Sequence, residues 1–449
     1  MKKLSCIFPL AILCGCAIYH PKPIDQAAVS GRLAAPNPQA VQVKASQIKH
    51  PILKPRNIDF AKGISARDAA IIAVIANPAL RAERDRLGIA GAQLLQAGIL
   101  PNPKFSYSLD VPTGGSDEGS VNAYGLGLDW DIIKPLLSRG ANVDAARAEK
   151  ASVSLDIAWK EWQVAESAKL EVYKILMLQQ QLKVARNEEK GLRQSYDAIK
   201  KAVDERNMTL VDLDAVDSTL RKAHSTVLDT GQKLEQERLT LNLMLGFPPS
   251  SDLLLKEEAP PSLKALPTLD NLMKGIEDRR LDIMALKQGY QSQEAKLRAA
   301  VREQFPGIGI GLSHARDTSN VITTGFSVSI DLPFFDRNQG HIAIEKATRQ
   351  RLYDEYMNRL IRARADSAAA LANIKTVEAQ INAADESVDA LEKLVSVSYN
   401  GFLEGNIDAL SYYNEVDRLA SRRLDALKLR QALAELYVAL EISAGEYLQ

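Results

Sequence analysis

Apolar positions along much of this chain recur at alternating spacings of three and four. Ala148, Ala151, Leu155, Ala158, Trp162 and Ala165 form one stripe. Leu213, Val216, Leu220, Ala223 and Val227 form a second, and Ala370, Ile374, Val377, Ile381, Ala384, Val388, Leu391 and Val395 a third. A seven-residue period predicts helices seamed together as coiled coils. The pattern extends from about residue 141 to 205, breaks near Asn207 and resumes to Leu245. It returns from about 341 to 399, breaks between Gly401 and Gly405, and resumes to Ala444. Sixty helical residues span ~90 Å, several times the width of a small domain.

Between the helical stretches the period changes to two. Phe105, Tyr107, Leu109 and Val111 alternate with Lys104, Ser106, Ser108 and Asp110, predicting a strand over 104–111. Tyr124, Leu126, Leu128 and Trp130 do the same within 121–131, as do Ile322, Thr324, Phe326, Val328, Ile330 and Leu332 within 321–332. A fourth strand is expected at 307–316. Each pair of strands flanks a polar loop and follows a shorter helix, at about 65–99 and about 269–303. Pro101 with Pro306, Asp129 with Asp331, Gly140 with Gly340 and Gly246 with Gly445 sit roughly 200 positions apart, so the chain reads as one unit present twice.

The expected organisation is a signal peptide over 1–15, a proline-rich arm over 16–62, a first repeat over 63–250, a linker over 251–268 and a second repeat over 269–449. Pro21, Pro23, Pro36, Pro38, Pro51 and Pro55 predict an extended arm. The fold class is mainly α with a pair of β-hairpins. One apolar face and one polar face, on strands of 8 to 12 residues, suits either a soluble sheet or the wall of a membrane barrel. Four strands cannot close a barrel alone and open edges cannot persist in lipid, so a membrane sheet requires sister chains.

Composition narrows the function. With 56 basic and 56 acidic side chains the chain has no formal net charge, which gives no footing for a nucleic-acid partner. Cys6, Cys14 and Cys16, the only cysteines, all lie in the first sixteen residues, so the body holds no disulfide framework, thiolate metal site or thiol nucleophile. Lys2 and Lys3, the apolar run Leu4–Leu13 and the exit Gly15-Cys16 form a secretory signal. Leu13-Cys14-Gly15-Cys16 is similar to a bacterial lipobox, in which Cys16 is the acylated residue; an ordinary cleaved signal is the competing reading. His20, His50, His224, His314 and His341 show no metal-ligand spacing, although His314 and Asp317 are expected in one external loop. Gly307-Ile308-Gly309-Ile310-Gly311 lacks the dinucleotide spacing and precedes no helix. No nucleophile–base constellation is present, so the chain reads as neither an enzyme nor a cofactor or metal protein.

The order of Asn77-Pro78-Ala79-Leu80, Leu100-Pro101-Asn102-Pro103, Arg280-Leu281-Asp282-Ile283, Phe305-Pro306, Ser329-Ile330-Asp331-Leu332-Pro333-Phe334-Phe335-Asp336 and Tyr399-Asn400-Gly401-Phe402 resembles the outer membrane efflux proteins, the TolC-like exit ducts of Gram-negative bacteria. The resemblance covers about residues 65–449. It implies a homotrimer with a twelve-stranded outer-membrane β-barrel, four strands per chain, continued by a long α-helical coiled-coil tunnel into the periplasm. It implies as partners a periplasmic adaptor (membrane fusion) protein and an inner-membrane pump of RND type. In lipoprotein members the N-terminal cysteine, here Cys16, is palmitoylated and attached to outer-membrane lipid.

The resemblance also assigns sites. The periplasmic aperture and adaptor tip map to Thr209 and Asp212 in the first repeat and to Asn406, Asp408, Ser411 and Asn414 in the second. Family members often carry an acidic ring at the places of Ser411 and Asn414, so Asp408 or Asp212 stands as its alternative source, with helix capping as the competing role. Phe105, Tyr107, Tyr124, Trp130 and Phe326 are the expected membrane-facing aromatics. A structural coiled-coil lipoprotein spacing membrane and cell wall would explain the heptads but not the duplicated hairpins. A periplasmic adaptor would need only one helical hairpin.

Overall fold

The computed structural model describes residues 17–114, 119–259 and 265–448. The signal segment and Cys16 lie outside the described residues.

The arm departs from the extended chain its prolines predicted. It contains helices α1 (Gln26–Leu33) and α2 (Pro38–Ser46). Proline at the first helical position loses no hydrogen bond, and the Asn37 side chain caps α2 by accepting from the Gln39 and Ala40 amides. Val41 and Ala45 of α2 are buried against α3 (Ala66–Ala76). His50 then pins the arm to the long helix α5 (Ile133–Asp204): its Nδ1 accepts from the Ile52 and Leu53 amides (both 3.1 Å) and its Nε2 donates to the Ala158 carbonyl (2.9 Å).

Ser65 and Asp68 form a reciprocal capping box that starts α3. The expected single helix over 65–99 is two, because Pro78 cannot donate to the helix before it. Asn77 closes α3 and caps α4 (Pro78–Ala97) through the Ala79 and Leu80 amides, while its Nδ2 donates to the Met244 carbonyl (3.0 Å). The corresponding stretch of the second repeat is also divided, into α7 (Leu269–Met273), α8 (Ile276–Arg279) and α9 (Leu281–Arg302), with Gly275 in the left-handed region at φ 72°. Strands β1 (Lys104–Asp110), β2 (Ala123–Asp131), β3 (Ile308–Arg316) and β4 (Ile322–Ile330) fall within two residues of their expected bounds.

Helix α5 has 72 residues, ~108 Å at 1.5 Å per residue, and starts about eight residues before the periodic stripe does. It turns back into α6 (Leu210–Met244); α10 (Gln339–Leu403) and α11 (Ala409–Ala444) repeat the hairpin. The body of the molecule forms where α3, α4, α6, α9 and α11 all pack on α5. The linker is stitched there too: Ile64 donates to Leu254 (2.8 Å) and accepts from Lys256 (3.0 Å), and the Ala66 amide donates to Glu258 (2.6 Å). Among the described residues no helix is long and apolar enough to cross a membrane.

Candidate conduit wall and periplasmic tip

The two hairpins join into one antiparallel sheet of order β1-β2-β3-β4. Its register sorts the side chains. One face is crossed by the rows Trp130–Ile310–Val328, Phe105–Leu128–Leu312–Phe326, Tyr107–Leu126–His314–Thr324 and Leu109–Tyr124–Arg316–Ile322. Phe105, Tyr107, Tyr124, Trp130 and Phe326 therefore share one face, and Trp130 donates its indole N–H to the Pro101 carbonyl (2.8 Å). His314 lies in β3 on this face, not in the external loop where it was expected, and its Nδ1 contacts Thr324 Oγ1 (2.9 Å). Asp317 spends its carboxylate on the Ser319 and Val321 amides (both 2.9 Å), so the two do not form a metal pair.

The opposite face is small and polar. Its rows are Asp131–Gly309–Ser329, Lys104–Asp129–Gly311–Ser327, Ser106–Gly127–Ser313–Gly325 and Ser108–Gly125–Ala315–Thr323. Serine repeatedly faces glycine across the strands, and a Cβ on Gly311 would collide with Ser327 Oγ and Asp129 Oδ1. The alternating glycines of β3 thus make room for cross-strand hydroxyls. At roughly 3.3 Å per residue and a tilt near 40°, nine-residue strands rise ~23 Å, matching the ~25 Å apolar band of an outer-membrane barrel.

At the far end of the long helices the two turns are copies of each other. Glu205-Arg206-Asn207-Met208-Thr209 matches Glu404-Gly405-Asn406-Ile407-Asp408. The second position is left-handed in both, Arg206 at φ 64° and Gly405 at φ 74°. Thr209 and Asp212 form a complete capping box, with Thr209 Oγ1 donating to Asp212 Oδ2 (2.7 Å). Asp408 caps α11 from the other side of the same arrangement, accepting from the Ser411 amide and hydroxyl (both 2.8 Å), and these bonds hold its carboxyl below the usual range. The Asn406 side chain donates to Glu404 (3.0 Å), and Asn414 is exposed one turn further on.

The tips pack together through Leu192, Val216, Leu220, Ala409 and Tyr413, with Phe402 stacked on Tyr412 at 5.3 Å. They leave Leu210, Val211 and Leu410 largely exposed.

A buried ionic cluster escaped the sequence reading. Lys169 of α5 binds Glu166 (3.1 Å) and Glu441 of α11, and all three are at most 3% exposed. Glu441 also accepts from the Leu448 amide (3.2 Å), and Tyr447 meets the Trp162 ring edge-on at 4.8 Å beneath the lysine. Burial raises the Glu166 carboxyl well above its ordinary range; Lys169 opposes that shift and Glu441 adds to it. A signal was available: Lys169 takes the seam position four residues after Ala165, where an apolar side chain is due. Among the described residues no cluster of His, Cys, Asp or Glu could hold a metal ion.

Comparison with known proteins agrees with this architecture. The family model for the outer membrane efflux protein matches residues 272–446, the second repeat. The chain is similar in this region to outer membrane efflux proteins. It is similar to the cobalt-zinc-cadmium resistance protein CzcC of Cupriavidus metallidurans, with 22% identity over 302 residues, 66% of this chain and 70% of the relative. Its fold matches CusC at a TM-score of 0.72 and 17% identity, covering 89% of this chain and 98% of that one. The outer-membrane channel OprN matches equally, at 0.72 and 17%, over 97% and 99%. The second repeat thus matches the outer membrane efflux protein model, and the fold is shared with CusC and the outer-membrane channel OprN.

Proposed function

We propose that three copies of this chain assemble into the exit duct of a tripartite efflux or type I secretion system. The observation that carries the reading is the sheet: four strands with one continuous apolar face, a Ser/Gly face opposite, and two unpaired edges at β1 and β4. Lipid cannot satisfy the backbone groups of those edges, but two sister sheets can. Three sheets give twelve strands, an even number, with the small polar side chains lining a water-filled lumen. The helices carry that lumen across the periplasm, and the tips close it until a partner engages. Exposed Leu210, Val211 and Leu410 on the tips offer an apolar contact for a periplasmic adaptor, itself coupled to an energy-consuming inner-membrane pump of RND type. The duct is passive. Acylation of Cys16 would add a lipid anchor at the start of the arm; Cys16→Ser should remove the acyl mass from the mature N-terminus.

Boiled and unboiled samples of purified outer membranes, run side by side, test the assembly. A heat-modifiable trimer that conducts in planar bilayers is expected; a soluble periplasmic monomer would refute the reading.

A further inference from the structure

Arg316 is the one fully charged side chain on the apolar face of the described strands, and it stands in the last row, farthest from the helices. An arginine on a lipid-facing wall is costly without a partner. The protein supplies only part of one: the guanidinium lies over the Tyr124 ring (5.2 Å to its centre) and one Nη2 hydrogen bonds to the Asn122 carbonyl (2.8 Å). Its Nε is enclosed and has no hydrogen-bond partner among the described residues. A sister chain is not placed to provide one, because β3 is an inner strand flanked on both sides by this chain's own β2 and β4. Beside it in the next row, Thr324 occupies Nδ1 of His314 and leaves Nε2 for an outside partner. Tyr107 and Tyr124 flank the pair in the same two rows. The rows nearer the helices present Leu, Ile, Val and Phe, with only the Trp130 indole among them.

We propose that Arg316, His314 and Tyr124 form a binding site for the phosphorylated headgroup of an outer-leaflet lipid, whose acyl chains lie along the apolar rows below. A planar guanidinium fork suits phosphate oxygens better than any other common headgroup acceptor, and basic groups at the membrane rim recognise anionic headgroups in this way. This inference rests on the exit-duct reading, which puts the apolar face in lipid.

The test uses the purified full-length trimer in detergent, with bisphosphorylated lipid A, its phosphate-free form, and inorganic phosphate as competitor, read by native mass spectrometry. Wild type should bind the phosphorylated lipid saturably and the phosphate-free lipid about tenfold or more weakly. Arg316→Gln should lose about tenfold for the phosphorylated lipid, and Arg316→Lys, which keeps charge but not the fork, should fall between. Conductance should stay at the wild-type value in both variants. Equal wild-type binding of the two lipids, or undiminished binding by an assembled Arg316→Gln trimer, overturns the proposal. So does full competition by inorganic phosphate, which would assign the site to a free anion. If Arg316→Gln does not assemble, the wild-type comparison of the two lipids decides alone. A conducting trimer that ignores lipid phosphate defeats this inference and leaves the duct intact, whereas a wild-type chain that forms no pore defeats both.

Discussion

Replacing Lys169 by methionine probes the buried cluster that fastens the C-terminal segment to α5. Among the described residues Lys169 is the only cation in an ion pair with Glu166 or Glu441, all three being at most 3% exposed. Burial already favours the neutral form of Glu166. Removing the lysine leaves the buried Glu441 carboxyl without its counter-charge, and breaking one side of a buried ion pair typically costs ~3–5 kcal/mol. Thermal unfolding followed by far-UV circular dichroism would show a lower midpoint for Lys169→Met near pH 7. The triple variant Lys169→Met, Glu166→Leu, Glu441→Leu should regain most of the loss, because apolar groups of similar size need no counter-charge. A single variant within about 1 kcal/mol of wild type near pH 7 would refute the account.

Three further outcomes are expected. His50 is held neutral by two amides donating to Nδ1, and burial lowers its pKa below 6.5. Its contribution is therefore complete above about pH 6.5 and is lost as pH falls toward the lowered folded value, so the stability gap between wild type and His50→Leu should narrow on acidification; a constant gap would show that the ring's charge state does not matter. Gly311→Val places branched carbon on Ser327 and Asp129 within the sheet and should abolish the heat-modifiable trimer on unboiled gels; normal assembly with unchanged conductance would contradict the close packing of that face. Thr209→Ala and Asp408→Ala each remove a helix cap worth about 1 kcal/mol, and should speed amide exchange in the first turns of α6 and α11 without unfolding the body. Equal exchange protection in wild type and variants would leave these side chains free to serve the aperture instead.

Periodicity alone determined most of the architecture. A seven-residue repeat over sixty positions can bury its stripe only against neighbouring helices, and alternation over nine can bury only one face of a sheet, so the duplicated order of helix, hairpin and long helical hairpin is written locally. Local chemistry also determined the caps: Ser65 with Asp68 and Thr209 with Asp212 act over three residues, within reach of sequence inspection. The arm was misread because proline at position 38 begins a helix as readily as it prevents one, and only burial of Val41 and Ala45 against α3 selects the helix. Register decided that His314 and Arg316 join the aromatic face, since loop length does not say where a strand ends. The Lys169 cluster belongs wholly to tertiary structure. Its third member lies 272 positions away in Glu441, and only the packing of α11 on α5 brings that carboxylate to the lysine and excludes water from both.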